Sequence, residues 1–348
     1  MMKDSLMSLL PYLHRVASGA ELSPDEAHAA MSLLLVGCVE DAVVGAFLTG
    51  LRMKGETSSE LAGFARAMRQ HMVVVDAGDD VIDIVGTGGD GAGTFNISTV
   101  AAMVLAGAGA RVAKHGNRAI SGKVGSADVL EALGIRIAMT PQQAADAVRE
   151  IGLGFLFAPH LHPAMKHVQG VRRALKLRTV FNLLGPLANP ARAGVQLIGA
   201  PSPEFARMMA DALAQLGTRH SYVVHGWGDT SGAGLDEIST TGPTDVYEVW
   251  TGRVEKHLWT PADFGVPRAT LDSLAGGDAS DNARITLEIL QGASGARRDI
   301  VLVNSAAALM AAGMAATPRE GVRQAAQAID SGRALAILHK LQKEFPHP

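Results

Sequence analysis

Residues 83–91, with the sequence DIVGTGGDG, are the stretch that decides the fold of this chain. An apolar run enters it, four glycines follow within six residues, and residues 94–99 (TFNIST) then begin a helix whose first turn offers Ser98 and Thr99. Glycine allows successive backbone N–H groups to converge on an anion, and the dipole of a helix N-terminus favours negative charge there. The stretch therefore predicts a strand, a phosphate-binding loop and a helix in succession. The alternative is an ordinary tight strand-to-helix turn, because the P-loop lysine is absent and the spacing does not match GxGxxG.

Short apolar runs alternate with Ala-rich helical patterns around and beyond this stretch. The apolar runs lie at residues 81–85, 111–114, 155–157 and 222–225, and helical patterns lie at 98–108 and 127–133. Alternation of this kind is typical of α/β domains in which helices flank a largely parallel sheet. We therefore expect an α/β domain over residues 78–348.

The first part of the chain, residues 1–77, shows only helical patterns. Ser23 with Glu26, and Thr57 with Glu60, form two capping boxes, each of which precedes an amphipathic segment. Four short amphipathic segments predict a small all-α domain. The segment 164–190 is ambiguous, because a basic run is followed by GPLANP. It is interpreted as chain that leaves the sheet and packs on the N-terminal helices, so the two domains are not expected to be strictly consecutive.

The composition excludes several classes of protein. The chain has 348 residues, of which 47% are hydrophobic, and a net charge of −3, which fits two globular domains and shows no basic surplus for nucleic acid. Its longest apolar runs, 97–110 and 306–316, are too short to span a membrane, and residues 1–15 do not resemble a signal peptide. The single cysteine, Cys38, excludes an internal disulfide and a Cys-based zinc cluster. We expect a cytoplasmic protein with neither a nucleic-acid nor a membrane partner.

A second candidate anion site lies at residues 114–128. Lys114 and His115 end a predicted strand, where open α/β sheets place their ligands, and a second Gly/Ser loop begins at Ser121. Two cations beside such a loop would suit another phosphate or a diphosphate. A solvated basic turn is the alternative, and it is the better explanation for His115 taken alone. The two glycine loops together favour a binding site.

The adjacent acids Asp236 and Glu237 are the best candidates for a metal site. They follow a Gly-rich segment at residues 226–234, and Mg²⁺ prefers carboxylates, substrate oxygens and water. Adjacent acids are also common on protein surfaces, and that interpretation remains open. His160 and His162 lack a third ligand in pattern, so they are interpreted as loop residues that line a pocket.

Six motifs stand in an order and spacing that closely resemble those of anthranilate phosphoribosyltransferases. They are GTGGD at 86–90, NIST at 96–99, KHGNR at 114–118, GSAD at 125–128, RTVFNLLGPL at 178–187 and DE at 236–237. The resemblance covers nearly the whole chain, including KGET at 54–57 in the helical part. One departure is the loop around residues 227–234, which is longer than usual for the family.

The resemblance implies a fold similar to nucleoside phosphorylases and phosphoribosyltransferases, in which a helical domain joins an α/β catalytic domain. It implies transfer of phosphoribose from phosphoribosyl diphosphate (PRPP) to the amine of anthranilate, the second step of tryptophan synthesis from chorismate. It also implies a homodimer that usually meets through the helical part. Catalysis would rest on positioning and electrostatics rather than on a general base, with Lys114 and Arg172 the most influential residues.

The resemblance also implies residue roles, position by position. Ser98, Asp236 and Glu237 would hold Mg²⁺. Anthranilate would contact Gly86, Asn117 and Arg172, with Arg172 facing its carboxylate. The residues implied to bind PRPP are Gly86, Gly89, Asp90, Thr94, Asn96, Ile97, Ser98, Thr99, Lys114, His115, Gly116, Asn117, Arg118, Ala119, Ile120, Ser121, Gly122 and Ser126.

Two alternative functions are open at this point. Pyrimidine-nucleoside phosphorylases resemble this architecture and have similar glycine loops, but their loop at the position of residues 114–118 reads Lys-x-Ser-Gly-Arg instead of KHGNR. A non-catalytic paralogue that binds nucleic acid would be expected to lose the acid pair or to gain a basic face, and neither change is present.

Overall fold

A mixed sheet forms the centre of the computed structural model, which describes residues 8–119, 124–229 and 234–347. Eight strands are found within these residues. They are β1 (Val81–Gly86), β2 (Arg111–Gly116), β3 (Leu153–Phe157), β4 (Val195–Gly199), β5 (His220–Trp227), β6 (Gly234–Leu235), β7 (Thr244–Trp250) and β8 (Arg253–Trp259).

The strand order is β3-β2-β1-β4-β5-β7-β8, with β6 paired to β5. The five strands from β3 to β5 are parallel, whereas β6, β7 and β8 are attached antiparallel. The chain runs from β1 to β2 on one side and places β4 on the other, so the strand order reverses between β1 and β4. Open α/β sheets bind ligands outside the carboxyl ends of the strands at such a reversal. Gly86 and Gly199 are paired there.

Helices surround this sheet and form the N-terminal part of the chain. They are α1 (Leu10–Ala17), α2 (Pro24–Val36), α3 (Asp41–Lys54), α4 (Ser58–His71), α5 (Ile97–Gly107), α6 (Ser126–Ala132), α7 (Pro141–Asp146), α8 (Ala158–Leu161), α9 (Lys166–Leu175), α10 (Phe181–Leu187), α11 (Pro203–Leu216), α12 (Pro261–Phe264), α13 (Ala279–Leu290), α14 (Ala296–Ala311), α15 (Pro318–Asp330) and α16 (Arg333–Glu344). No helix among the described residues has the length and apolar character needed to cross a membrane.

The two faces of the sheet belong to two separate apolar cores. One core joins the face that carries Ile84 and Leu197 to α5 and to the C-terminal helices. The other joins the opposite face, including Ile198 and Val223, to α11 and to the four N-terminal helices. The sheet therefore separates two layers, and β1 is in contact with both.

The N-terminal helices follow the capping pattern of the sequence. Both predicted capping boxes are confirmed, because the Ser23 and Thr57 side chains accept from the backbone N–H groups of Glu26 and Glu60. Their apolar core includes Val168 of α9 and residues of α10. The division of the chain near residue 77 stays a prediction, as does the assignment of residues 164–190 to the helical unit.

The predicted, largely parallel sheet is confirmed, but strand β4 and the antiparallel edge were not expected. The sequence predicts only one strand after residue 190, at 222–225, whereas β4 lies at the centre of the sheet and β7 and β8 continue it as a hairpin. Strand β7 is buried but has Asp245 and Glu248 between its apolar residues, and the side chains of β8 are half-buried or exposed, so neither strand has a long apolar run.

Candidate active site

The glycine loop after β1 closes over the acid pair. Gly88, with a φ of 70°, is in the left-handed region that favours glycine, and its N–H donates to Oδ2 of Asp236 at 2.6 Å. A Cβ at Gly86 would overlap the same carboxylate, so glycine is required for this close approach. The loop and the acid pair, 148 residues apart in the chain, thus form one site at the reversal of strand order.

The acid pair is held at the first turn of α5. Oε1 of Glu237 accepts from the backbone N–H of Ser98 at 3.1 Å, and the N–H of Asp236 donates to Oδ2 of Asp90 at 3.2 Å. Burial and, after it, the neighbouring charge of Asp90 raise the pKa of Asp236 to about 7. Burial and the charge of Asp236 also raise the pKa of Glu237. Both carboxyls are therefore weaker acids than usual, and a bound cation would favour their ionised forms.

Lys114 is the buried cation of this site. Its side chain points to the face of the sheet that α5 covers, where Nζ donates to the carbonyl of Ile84 at 2.7 Å and to Oγ of Ser98 at 3.2 Å. Burial lowers its pKa, while Asp83 and Glu237 act in the opposite direction. The ammonium thus lies among carboxylates at the base of the glycine loop, 2% exposed.

The donor set of the site fits a magnesium ion that is also bound by water or substrate oxygens. The pKa values of Asp236 and Glu237 stay raised although Lys114 is nearby, so a cation is needed to ionise both carboxyls, and the Ser98 hydroxyl lies beside Lys114. Within the described residues, no group of three or more His, Cys, Asp or Glu side chains is arranged to hold a metal ion. An ion here would need substrate oxygens and water in addition, as is usual for Mg²⁺.

His115 and Lys114 point to opposite faces of the sheet. The Nδ1 atom of His115 pairs with the carbonyl of Gly185 in α10 at 3.1 Å, and its ring lies 5.1 Å from that of His162. Burial lowers the pKa of His115 to about 3 and that of His162 to about 4, so both rings are neutral. Nε2 of each ring is buried and makes no hydrogen bond with the described residues.

His160 and His162, both interpreted from the sequence as loop residues that line a pocket, differ from each other in the structure. His162 is 5% exposed and lies against His115, whereas His160 is exposed and packs against Phe157.

Arg172, on α9, lies against Phe181, the first residue of α10. Its guanidinium stacks over the ring of Phe181, 5.0 Å from the ring centroid, and burial lowers its pKa. Its neighbour Arg173 is exposed. Helix α10 therefore connects Arg172, next to Phe181, with His115, which bonds to Gly185.

The remaining residues implied to bind PRPP are dispersed around the loop. Asn96 lies between the two candidate anion sites, because Nδ2 donates to the carbonyl of Val124 at 3.3 Å and Oδ1 accepts from Asn282 at 2.9 Å. Thr94 forms an isolated bridge with Ala275. Gly89 is exposed, and Ile97 is buried at the start of α5.

Two of these residues are directed elsewhere among the described residues. Arg118 forms ion pairs with Asp128 and Glu131 at 2.9 and 2.6 Å. Thr99 is 1% exposed, and its Oγ1 has no partner within the described chain.

The second loop is described only in part. The Ser126 hydroxyl and the Asn117 carbonyl oxygen lie 3.4 Å apart, and Gly116, which ends β2, approaches Ser126 so closely that a Cβ would overlap its hydroxyl. The N–H of Ala119 donates to Asp128 at 3.3 Å. Ile120, Ser121 and Gly122 lie outside the described residues, as do residues 230–233 of the longer loop.

Sequence reasoning did not single out Arg178 as a site residue. Its Nη2 donates to the carbonyl of Gly88 at 3.4 Å, and Asp236 and Asp90 are close enough to raise its pKa against the lowering effect of burial. The sequence offered one signal, since Arg178 is the first residue of the motif at 178–187.

Two family models match this chain. Residues 10–72 match the helical bundle domain of a glycosyl transferase family, and residues 78–335 match the α/β domain of the same family.

Curated relatives match along nearly their whole length. The anthranilate phosphoribosyltransferase of Solibacter usitatus is 57% identical over 338 residues, covering 96% of this chain and 98% of the relative. The enzyme of the same name from Thermomicrobium roseum is 51% identical and covers 95% of each chain.

Solved structures of enzymes with that name also superpose on the fold. The Thermus thermophilus enzyme gives a TM-score of 0.88 at 40% identity and covers 95% of this chain and 98% of its own. The Saccharomyces cerevisiae enzyme in complex with PRPP and Mg gives 0.87 at 31% identity, covering 97% and 98%. The same yeast enzyme with 4-fluoroanthranilate gives 0.85 at 31% identity, with the same coverage.

Proposed function

The chain belongs to the anthranilate phosphoribosyltransferase family, and from that premise we propose which of its residues bind the two substrates and the metal. The family reaction transfers the phosphoribosyl group of PRPP to the amine of anthranilate and releases diphosphate, the second step of tryptophan synthesis from chorismate. One observation carries the residue assignment. Glu237 and Lys114 both bond to Ser98, directly below the glycine loop.

The donor site that we propose is the concave region formed by the glycine loop and the start of α5. Backbone N–H groups of the loop and the N-terminus of α5 favour phosphate oxygens. Lys114 supplies buried positive charge, and Arg178 supplies a second cation at the carbonyl of Gly88. The proposal extends to the PRPP residues that the resemblance implies, including those outside the described chain, with the exception of His115.

Ser98, Asp236 and Glu237 are the residues that we propose for Mg²⁺. Two buried carboxyls with raised pKa values, which a bound cation would ionise, are the physical reason for a metal here. When bound, the ion would neutralise charge on the diphosphate of the donor. The yeast relative in complex with PRPP and Mg supports a role for Mg²⁺ beside the donor.

The chemistry follows from where charge develops. As diphosphate leaves C1, the ribose gains oxocarbenium character and the leaving group gains negative charge, which Lys114 and the loop N–H groups stabilise. The aniline nitrogen of anthranilate is neutral at pH 7 and needs no strong general base before it attacks. Positioning of the two substrates would contribute about 7–11 kcal/mol in favourable cases. Closure of the helical part over the site would exclude water, which would otherwise hydrolyse the donor.

The acceptor site that we propose lies along α10. Arg172 would bind the anthranilate carboxylate. Gly86 and Asn117 would contact anthranilate on the side that faces PRPP. His115, which the resemblance places with PRPP, is turned towards α10 and His162. We therefore propose that His115 acts on the acceptor side. Its neutral ring would lie beside an aromatic substrate without adding charge.

We also propose a cytoplasmic homodimer that associates through the helical part. Three of the eight exposed large apolar side chains among the described residues lie in α1, α2 and α3, the part through which the family usually associates: Leu10 is 45% exposed, Val36 53% and Met53 83%. Light scattering after size-exclusion chromatography would measure the molar mass, and a monomer at micromolar concentration would contradict the proposal.

The experiment that tests the function is an anthranilate fluorescence assay. Fluorescence should fall only when the protein, PRPP and Mg²⁺ are all present. Fluorescence loss that persists in excess EDTA would contradict the metal assignment. No loss with both substrates and Mg²⁺ would contradict the donor and acceptor sites as a whole.

A further inference from the structure

Asn304 on α14 is a fully buried side chain whose amide bonds to the chain beside the acid pair. Its Oδ1 accepts from the N–H of Ile238 at 2.9 Å, and its Nδ2 donates to the carbonyl of Ile238 at 3.0 Å and to that of Ile300 at 2.9 Å. Both amide hydrogens and the amide oxygen are thus used. The reciprocal pair satisfies the main chain of Ile238 as a neighbouring strand would.

Ile238 directly follows Glu237, so Asn304 fixes the main chain one residue from the acid pair. Two glycines fix the other side, because a Cβ at Gly199 would overlap the Asp236 carbonyl and a Cβ at Gly226 would crowd the Glu237 carbonyl. The backbone of the acid pair is therefore enclosed between the sheet and α14. Asn304 is the polar connection from that helix.

We propose that Asn304 is a positioning residue for the metal site: by bonding both main-chain groups of Ile238, it sets where the Asp236 and Glu237 carboxylates lie relative to the glycine loop. The proposal rests on the proposed function, in which this pair holds Mg²⁺. Partners of metal-binding groups commonly act this way, and their loss lowers metal affinity about 10- to 100-fold. A buried core residue with no such role would lower stability without a selective effect on metal binding.

The test compares Asn304→Leu and Asn304→Asp with the wild-type protein. Leucine fills a similar volume and removes all three hydrogen bonds. Aspartate keeps an acceptor for the N–H of Ile238 but cannot donate to the two carbonyls. Ser305→Ala is the matched control, because Ser305 is the next residue, is buried, and has an Oγ without a hydrogen-bond partner in the described chain.

Binding of Mn²⁺ in the presence of PRPP, followed by the electron paramagnetic resonance signal of free Mn²⁺, is measured beside steady-state kinetics. The expected result for both Asn304 variants is a Kd for Mn²⁺ raised about tenfold or more. The KM for anthranilate should change by less than about twofold, since a metal-positioning role leaves the acceptor site intact. Ser305→Ala should behave as wild type in both measurements.

Three results would overturn the role of Asn304. They are wild-type Mn²⁺ affinity in a folded Asn304→Leu protein, equal increases in the KM of both substrates, and failure of both Asn304 variants to fold. Failure of the wild-type protein with PRPP to bind Mn²⁺ is a separate result. It would overturn the proposed metal site and, with it, this inference.

Discussion

Gly199 lies so close to Asp236 that a Cβ on Gly199 would overlap the carbonyl oxygen of Asp236. Gly199 ends β4 and is paired with Gly86, which ends β1 and allows a close approach of the Asp236 carboxylate. Two neighbouring strand ends thus carry glycine because the acid pair lies directly on them. The sheet therefore limits where the acid pair can lie on one side, as Asn304 does on the other.

Gly199→Ala should therefore displace the acid pair and lower activity more than its single methyl group suggests. The added Cβ meets backbone, which cannot rotate away, so overpacking should cost about 1–3 kcal/mol of stability. A displacement of about 1 Å at a reacting site can reduce the rate about 100-fold. The measurement is kcat/KM for PRPP beside a thermal melt.

Gly194→Ala is the control for this substitution. Its nearest neighbour would be Cβ of Arg219 at 3.5 Å, which is an ordinary contact. Full activity of Gly199→Ala would show that the acid pair tolerates displacement, and it would contradict the role assigned to this close contact.

Asp236→Asn combined with Glu237→Gln should abolish most turnover and leave the fold intact or more stable. Both carboxyls have a raised pKa in the folded protein, so folding favours their protonated forms. Stability from such a group is present at low pH and is lost as pH rises from the unfolded pKa towards the folded one, which is about 7 for Asp236. The amide variant should not show this loss.

The measurement is the melting temperature at pH 5 and pH 8 without Mg²⁺, beside a rate assay with Mg²⁺. The variant's melting temperature should exceed that of wild type by more at pH 8 than at pH 5. A large fall in melting temperature with normal specific activity would identify the pair as structural.

The sequence was sufficient for the parts of this molecule that depend on local pattern. Ser23 and Thr57 cap helices as their spacing predicts, and the loop after residue 85 follows a strand. These features depend on residues three or four apart, whose chemistry is visible in the sequence. The antiparallel strands were not predicted because β7 has Asp245 and Glu248 between its apolar residues and β8 is only half-buried or exposed.

The site could be predicted only as a set of motifs. Its polar network depends on contacts across the fold, such as the N–H of Ser98 on Glu237, 139 residues apart. The opposite orientations of Lys114 and His115 follow from strand alternation, which predicts that neighbours face opposite ways but not which helix covers each face. Asn304 had no signal at all, because a buried asparagine on a helix is recognised only by its partner on another element.

His162→Gln should reduce the loss of stability in mild acid. Burial lowers the pKa of His162 to about 4, so between pH 6.5 and 4 the unfolded chain binds a proton there that the folded protein does not. Stability contributed by this ring is therefore present above pH 6.5 and is lost as pH falls, by about 1.4 kcal/mol for each pH unit in that window. The measurement is the free energy of unfolding in urea at pH 6.5, 5.5 and 4.5.

The control for this measurement is His160→Gln, because His160 is exposed on the short helix α8, which ends directly before His162. Its unfolding free energy should follow the wild-type dependence on pH, whereas that of His162→Gln should be flatter. The same slope for His162→Gln and wild type would mean that the ring takes up its proton without unfolding the protein.

Arg172→Ala should raise the KM for anthranilate and leave that for PRPP nearly unchanged. Arg172 is half-buried, and its guanidinium lies over Phe181, the first residue of α10, the helix whose Gly185 bonds to His115. Its planar fork of N–H donors suits a carboxylate in a way that lysine cannot reproduce. A lost charge-assisted hydrogen bond of about 1.5–3 kcal/mol corresponds to a roughly ten- to hundredfold increase. Arg173→Ala is the matched control, since Arg173 is exposed on the same helix and should change neither constant. Equal effects of the two substitutions, or a change confined to the KM for PRPP, would assign the anthranilate carboxylate to another residue.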